Sequence, residues 1–319
     1  MARSKFFWHL LALAVIGVWG VTFVCTKQLI SAGLDPSEIF AIRFTMAYLG
    51  IWALSLTRKP VRLWSRNWQD ELLFVFLGIT GGSFYFLTEN TALAYTQACN
   101  VAFLVCVAPL LTILLSLLYR RLRHDRFSAA LEPVSSGWML AVGTALALGG
   151  MALMLFDGNR VEVSLRGDLM AIGAALCWAL YSQFMGKMTD EYGAVFATRK
   201  VFGYGLLTII PFLLGPDAFP AEPLRQPQVI CNLLFLGLVA SLACFIVWNL
   251  VMSKLGNITC TNYVYLNPVF TLITAMIFLG ERLTPAGAAG SALILLGVIL
   301  AGQRGRHARG RSRGPGDPA

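Results

Sequence analysis

Glu89, in the segment FYFLTENTALAY, is the only carboxylate well inside a long apolar run of this sequence. An acid held at mid-membrane costs about 2.5–3.5 kcal/mol by insertion scales, so it should face a partner or a water-filled cavity. There it could carry a proton or meet the cationic group of a solute. The alternative is a shallow position in contact with interfacial water. Arg43 and Arg199 also lie inside apolar runs, and a guanidinium can hold a carboxylate through two parallel hydrogen bonds. For Arg43, pairing with Glu89 or snorkelling serves equally well. For Arg199, beside Lys200, snorkelling is favoured.

Uncharged polar and aromatic residues accompany these charges. Asn90, Asn249, Asn262 and Asn267 stand in apolar segments, where an amide turned to lipid is unfavourable and one turned inward binds a neighbouring helix or a solute. Tyr265 adds an aromatic ring to the last two, the mixture expected of a pocket for an organic solute. Trp19 and Trp178 sit mid-segment rather than in the interfacial belts where tryptophan concentrates, and Tyr181 follows Trp178 by about a turn. These are candidate cavity walls, with plain packing as the alternative. Pro109 and Pro268 should kink their helices, because proline removes an amide hydrogen and clashes with the preceding turn. The carbonyls freed are those of Val105 and Val264, available to a solute or to a neighbouring helix.

The elements that must position these residues are membrane helices. The 319-residue chain is 57% hydrophobic and only 13% charged, with mean hydropathy +0.69, against about 25% charged residues in soluble domains. Ten apolar stretches of spanning length stand at roughly 6–30, 37–57, 71–93, 97–119, 137–156, 167–187, 194–215, 228–252, 259–279 and 284–302. The first follows MARSK, but its Ala12-Leu13-Ala14 lies within the apolar run, so a permanent helix is expected rather than a cleaved leader.

The net charge of +9 would suit nucleic acid if it were clustered, but its placement says otherwise. With ten spans and the N-terminus inside, seventeen of the 25 Lys and Arg fall on the cytoplasmic side, the positive-inside signature, with both termini in the cytoplasm. The tail RGRHARGRSRGPGDPA is then a disordered basic segment over anionic headgroups, and no nucleic-acid partner is expected. The seven cysteines lie in or beside apolar spans without a CxxC pair, and His9, His124 and His307 stand apart. No cofactor and no metal site is expected.

The chain is also written twice. Residues 89–112 align with 248–271 so that Asn90 meets Asn249, Pro109 meets Pro268 and Thr112 meets Thr271; the same offset sets Trp19 on Trp178. Arg43 matches Arg199, while Gly143 and Gly150 match Gly290 and Gly297. Five helices per half is an odd number, so the halves, 6–156 and 167–302, enter the membrane in opposite senses. Inverted repeats can exchange shapes, opening one side while closing the other. The glycines of the last helix form a close-packing face, for its mirror helix or for a homodimer.

This pattern resembles the EamA branch of the drug/metabolite transporter superfamily over roughly residues 8–302. The most specific segment is PVFTLITAMIFLGERLTPAGAAGSALILLGVILAG from Pro268, supported by WGVTFVCTK from Trp19 and ALAYTQACNVAFLVCVAPLL from Ala92. Where the family's first repeat often carries a turn like Gly280–Thr284, this chain has Tyr119-Arg120-Arg121-Leu122 and an insertion reaching residue 136. The resemblance implies an all-α membrane carrier of two inverted five-helix repeats in a bacterial inner membrane. It also implies secondary export of small organic solutes such as amino acids, metabolites or drugs. Alternating access and a proton at Glu89 complete the expectation. An ATP-driven mechanism within the chain is excluded, since GxxxxGK[ST] is absent. A membrane-embedded enzyme for lipid-linked substrates, or a pore, are the alternatives.

Overall fold

The computed structural model describes residues 2–57, 62–96, 98–122, 137–155, 164–214, 219–278 and 285–302. Among the described residues the regular structure is helical throughout. The helices are α1 (Ala2–Ser31), α2 (Pro36–Leu56), α3 (Trp68–Tyr95), α4 (Ala98–Val105 and Ala108–Leu122), α5 (Gly137–Leu155), α6 (Leu165–Tyr192), α7 (Ala194–Leu213), α8 (Pro227–Leu255), α9 (Asn257–Thr261, Asn262–Leu266 and Asn267–Phe278) and α10 (Pro285–Gly302), with a single turn at Ala221–Leu224 before α8. Each of the ten expected stretches holds helix. Among the described residues seven helices are long and apolar enough to cross a membrane; α5 and α10 contain shorter apolar segments, Ala141–Leu153 and Ala288–Gly297, and α9 is divided. The basic loop at 123–136, the turn at 280–284 and the tail from 303 lie outside the described residues.

Local chemistry sets the helix ends. Pro36 opens α2, where its missing N–H is no loss, and Glu38 reaches back to the Asp35 amide at 2.9 Å. Asn67 caps α3 by accepting the Asp70 amide at 2.8 Å. Gly33 after α1 and Gly193 after α6 both take positive φ, +99° and +83°, so the two halves turn the same corner with the same residue.

Two helices change winding in mid-course. α3 passes through a π-helical segment at Ile79–Ser83 and α8 through one at Phe235–Ala243. Such segments are rare and frequently lie at functional sites. In α3 the irregularity centres on Gly82, at φ −124° and ψ −107°. The two segments occupy corresponding places in the sequence repeat, and the packing follows suit. α2 lies against the π segment of α8, and α7 against that of α3. The C-terminal half of α3 packs on α6 as that of α8 packs on α1, and α1 meets the end of α9 as α6 meets the end of α4.

α5 and α10 pack through glycine. A Cβ on Gly150 would collide with the Gly290 carbonyl and Leu293, and one on Gly297 with the Gly143 carbonyl and Ala147. Two matched glycines of one helix thus meet the two of the other in reverse order, the contact pattern of an antiparallel pair about a two-fold axis. At these four glycines the close approach is made within the chain.

Candidate functional site

The centre of the molecule holds a small cavity of about 30 Å³, space for roughly two waters at about 10–15 Å³ each. Its wall is built by Trp19, Thr22 and Phe23 of α1, Arg43 of α2, Tyr85, Phe86 and Glu89 of α3, Val105 of α4, Trp178 of α6, Phe245 of α8, and Val264 and Asn267 of α9. Residues from both halves line it.

The breaks in α4 and α9 bring backbone to this wall. α4 leaves helical geometry at Cys106–Val107, just before Pro109, and α9 tightens over Asn262–Leu266, just before Pro268. Val105 and Val264, four residues ahead of the two prolines, both border the cavity. The Val264 carbonyl is already taken, since the Cys106 thiol donates to it at 3.2 Å. The breaks therefore join α4 to α9 at the cavity floor.

Arg43 is 2% exposed. Its Nε donates to Ser241 Oγ at 2.9 Å, and its guanidinium lies 4.6 Å from the Phe86 ring centre and 5.3 Å from that of Phe44. Aromatic faces attract such a cation, the more strongly when water is excluded. Glu89 accepts a hydrogen bond from the Tyr85 hydroxyl at 2.7 Å. No ion pair joins Glu89 to Arg43 among the described residues. Two opposite charges thus border one cavity without contacting each other, each held by a neutral partner.

Aromatic rings form the remaining wall. Trp19 and Trp178 meet edge to face, centres 5.4 Å apart and planes at 89°, with Trp248 5.0 Å and Phe245 5.5 Å from Trp19. Trp19 Nε1 donates to the Ala240 carbonyl at 3.0 Å, within the π segment of α8. Trp178 Nε1 and Asn267 Oδ1 are buried without a hydrogen-bond partner. The residues around the cavity thus include an acceptor and an indole donor without partners, a carboxylate, a guanidinium and flat apolar faces.

Of the residues singled out from sequence, Trp19, Arg43, Glu89, Trp178 and Asn267 border the cavity. Tyr181 and Asn249 stand beside it. Tyr181 packs on Trp178 at 5.3 Å and donates to Asn249 Oδ1 at 2.6 Å, and Asn249 donates to Thr198 Oγ1 at 2.8 Å, a buried polar chain linking α6, α8 and α7. Asn90 binds the Pro36 carbonyl at 3.0 Å and so ties α3 to the start of α2. Asn262 and Tyr265 are buried in α9 and do not line the cavity, and Asn262 Oδ1 is unpartnered. Arg199 is drawn off altogether: it donates to the Arg62 carbonyl and lies 4.5 Å from the Trp52 ring.

Sequence reasoning missed Tyr85 and Ser241, the partners of the two charges. Tyr85 was within reach, being four residues before Glu89 and so on the same helix face. Ser241 was not, since its approach to Arg43 depends on α2 packing against the π segment of α8.

Comparison with known proteins agrees with this architecture. The EamA-like transporter family matches the chain twice, over residues 6–156 and again over 165–303. A protein of Streptantibioticus cattleyicolor named a probable terminal-alkyne amino-acid exporter is 23% identical, over 99% of each chain. A probable amino-acid metabolite efflux pump of Salmonella typhimurium is 27% identical, over 91% of this chain and 93% of its own. A transporter of Archaeoglobus fulgidus is 24% identical over 92% and 96%. A solved crystal structure, 18% identical, superposes with a TM-score of 0.68 over 94% of this chain and 96% of its own, which shows a shared fold. With matches spanning both halves, this multi-pass membrane protein belongs to the EamA-like transporter family.

Proposed function

We propose that the protein exports a small organic solute, with amino acids and their derivatives as the class, by alternating access between two inverted repeats. The observation that carries this reading is the pair Arg43 and Glu89, which face one aromatic-walled cavity without bonding each other. A zwitterion would place its carboxylate on Arg43 and its ammonium on Glu89, with its side chain between Trp19, Trp178 and Phe245. The names of the relatives in Streptantibioticus and Salmonella support the class. At about 30 Å³ the cavity is narrow, and in this reading it would widen toward one side of the membrane and then the other as the two repeats exchange shapes.

The antiparallel glycine contacts of α5 and α10 and the paired packing of α2 and α7 on the π segments support inversion. The distribution of Lys and Arg supports a cell-membrane location, the inner one in a bacterium, with both termini in the cytoplasm. Coupling is assigned to Glu89, which would exchange a proton for the ammonium of the solute.

The test is counterflow in proteoliposomes with labelled amino acids and amphipathic amines. Saturable exchange that is lost in Glu89→Gln and in Trp178→Ala is expected. Non-saturable uptake indifferent to both changes would mean a pore. Collapse of the pH gradient should slow wild-type transport, and indifference to it removes the proton from the scheme.

A further inference from the structure

The loop entering α3 carries an unusual combination on one surface. Leu63, Trp64, Trp68 and Leu72 are 54%, 69%, 69% and 56% exposed. Between them stand Arg62 and Arg66, also exposed, with their guanidinium groups 5.4 and 5.5 Å from the ring centre of Tyr192. Neither arginine has a carboxylate partner among the described residues. Arg62 Nε donates to the Trp64 carbonyl at 3.1 Å, and Arg66 Nη2 reaches the Glu191 carbonyl at 3.4 Å.

The nearby acids have partners of their own, and Asp70 binds the hydroxyl of the same Tyr192 over which both arginines lie. Glu71 binds Lys200 and the Tyr204 hydroxyl, Asp70 accepts from Tyr192 at 2.5 Å, and Glu191 pairs with Lys187 at 3.4 Å. Each guanidinium has five N–H donors, so most of those on Arg62 and Arg66 remain for an external anion. Two guanidiniums over one tyrosine ring, neither in an ion pair among the described residues and both flanked by exposed tryptophans and leucines, match a molecule that is anionic at one end and apolar along the rest.

We propose that residues 62–72 form a docking surface for an anionic phospholipid of the cytoplasmic leaflet, its phosphate held by Arg62 and Arg66 and its acyl chains lying along Trp64, Trp68 and Leu72. The leaflet assignment rests on the orientation proposed above; the site itself does not. Arginine is suited to the phosphate through its paired donors, and each basic residue near an anionic surface contributes about 1 kcal/mol of attraction. The same loop is bonded to the corner between α6 and α7. Arg199 donates to the Arg62 carbonyl, and the Arg66 amide donates to the Tyr192 hydroxyl at 3.0 Å. Since α7 packs on the π segment of α3, lipid at Arg62 and Arg66 would steady the elements that close the cytoplasmic side.

The test is native mass spectrometry of the full chain in detergent, titrated with phosphatidylglycerol or phosphatidylcholine. Wild type should retain phosphatidylglycerol preferentially, and Arg62→Gln/Arg66→Gln should weaken that retention about tenfold, ~1.4 kcal/mol, at an unchanged lipid-free melting temperature. Glycerol phosphate, which carries the anion without acyl chains, should not displace the lipid; complete displacement would reduce the site to one for free phosphate and overturn the proposal. Equal retention by the double variant overturns it too. Should that variant fail to fold, quenching by brominated lipids decides on otherwise intact protein. The difference between wild type and Trp64→Phe/Trp68→Phe should be larger with brominated phosphatidylglycerol than with brominated phosphatidylcholine, and an equal difference contradicts the site. None of these readings requires transport, so they stand or fall apart from the transport assignment.

Discussion

Arg43 and Arg199 hold equivalent positions in the two sequence repeats, yet their side chains end in opposite settings. Arg43 turns to the centre, where Ser241 and two phenylalanine rings hold it beside Glu89. Arg199 turns outward, to the Arg62 carbonyl and the face of Trp52. The difference lies in what each meets on the facing π segment. Ser241 in α8 offers Arg43 a hydroxyl, whereas the matching residue in α3 is Gly82, which has no side chain and lies close to Gly205. A duplicated scaffold has been given one arginine for the cavity and one for a peripheral tie.

The tryptophans repeat the lesson. Trp19 Nε1 is satisfied by the Ala240 carbonyl, while Trp178 Nε1 has no partner and the matching backbone at Gly81 is covered by the Tyr181 ring. Trp19 is fixed by the fold, and in the proposed function the unpartnered donor of Trp178 is the one left for the solute.

The largest effect should come from disturbing what the halves share. Gly150→Leu drives a side chain into α10, and overpacking of this kind costs about 1–3 kcal/mol or more. The purified protein should melt markedly lower or fail to be recovered as a monodisperse species, while Gly149→Ala, which meets open space, should melt like wild type. Equal behaviour of the two would contradict the glycine seam.

Next come the tryptophans. Trp178→Phe should raise the half-saturation concentration for transport about tenfold, ~1.4 kcal/mol, and lower the melting temperature less than Trp19→Phe does, since it loses packing but no hydrogen bond. Trp19→Phe should lower the melting temperature by the loss of one buried hydrogen bond, about 1 kcal/mol, with the smaller effect on half-saturation. The reverse pattern would exchange their roles.

A smaller effect is expected at Ser241. Removing its hydroxyl frees Arg43 without removing the charge, so Ser241→Ala should raise half-saturation about three- to tenfold, in line with ~1 kcal/mol for one hydrogen bond. Ser241→Thr, which restores the acceptor, should recover most of it. Loss of maximal rate at unchanged half-saturation would place Ser241 in the conformational change instead.

Much of this arrangement could be read from the residues. Hydropathy located the helices, and the proline and glycine pairs marked where α4 and α9 break and where α5 and α10 touch. Charge inside an apolar run pointed to Glu89 and Arg43. The fates of the asparagines could not be read, because an amide serves a cavity or a neighbouring helix according to the rotation of its own helix. Asn267 and Asn90 differ in just this way. The π segments were equally hidden: Phe235–Ala243 is an ordinary apolar run, Gly81 and Gly82 allow an irregular backbone without specifying its winding, and that winding is evident only with α2 and α7 packed against it.

The most direct test of the asymmetry is equilibrium binding of a transported amino acid to detergent-purified Arg43→Gln and Arg199→Gln, read by thermal shift and by retention of labelled solute. The account predicts that Arg43→Gln abolishes binding, while Arg199→Gln binds with wild-type affinity though it transports more slowly. Equal loss of binding in both, or intact binding in Arg43→Gln, would contradict it.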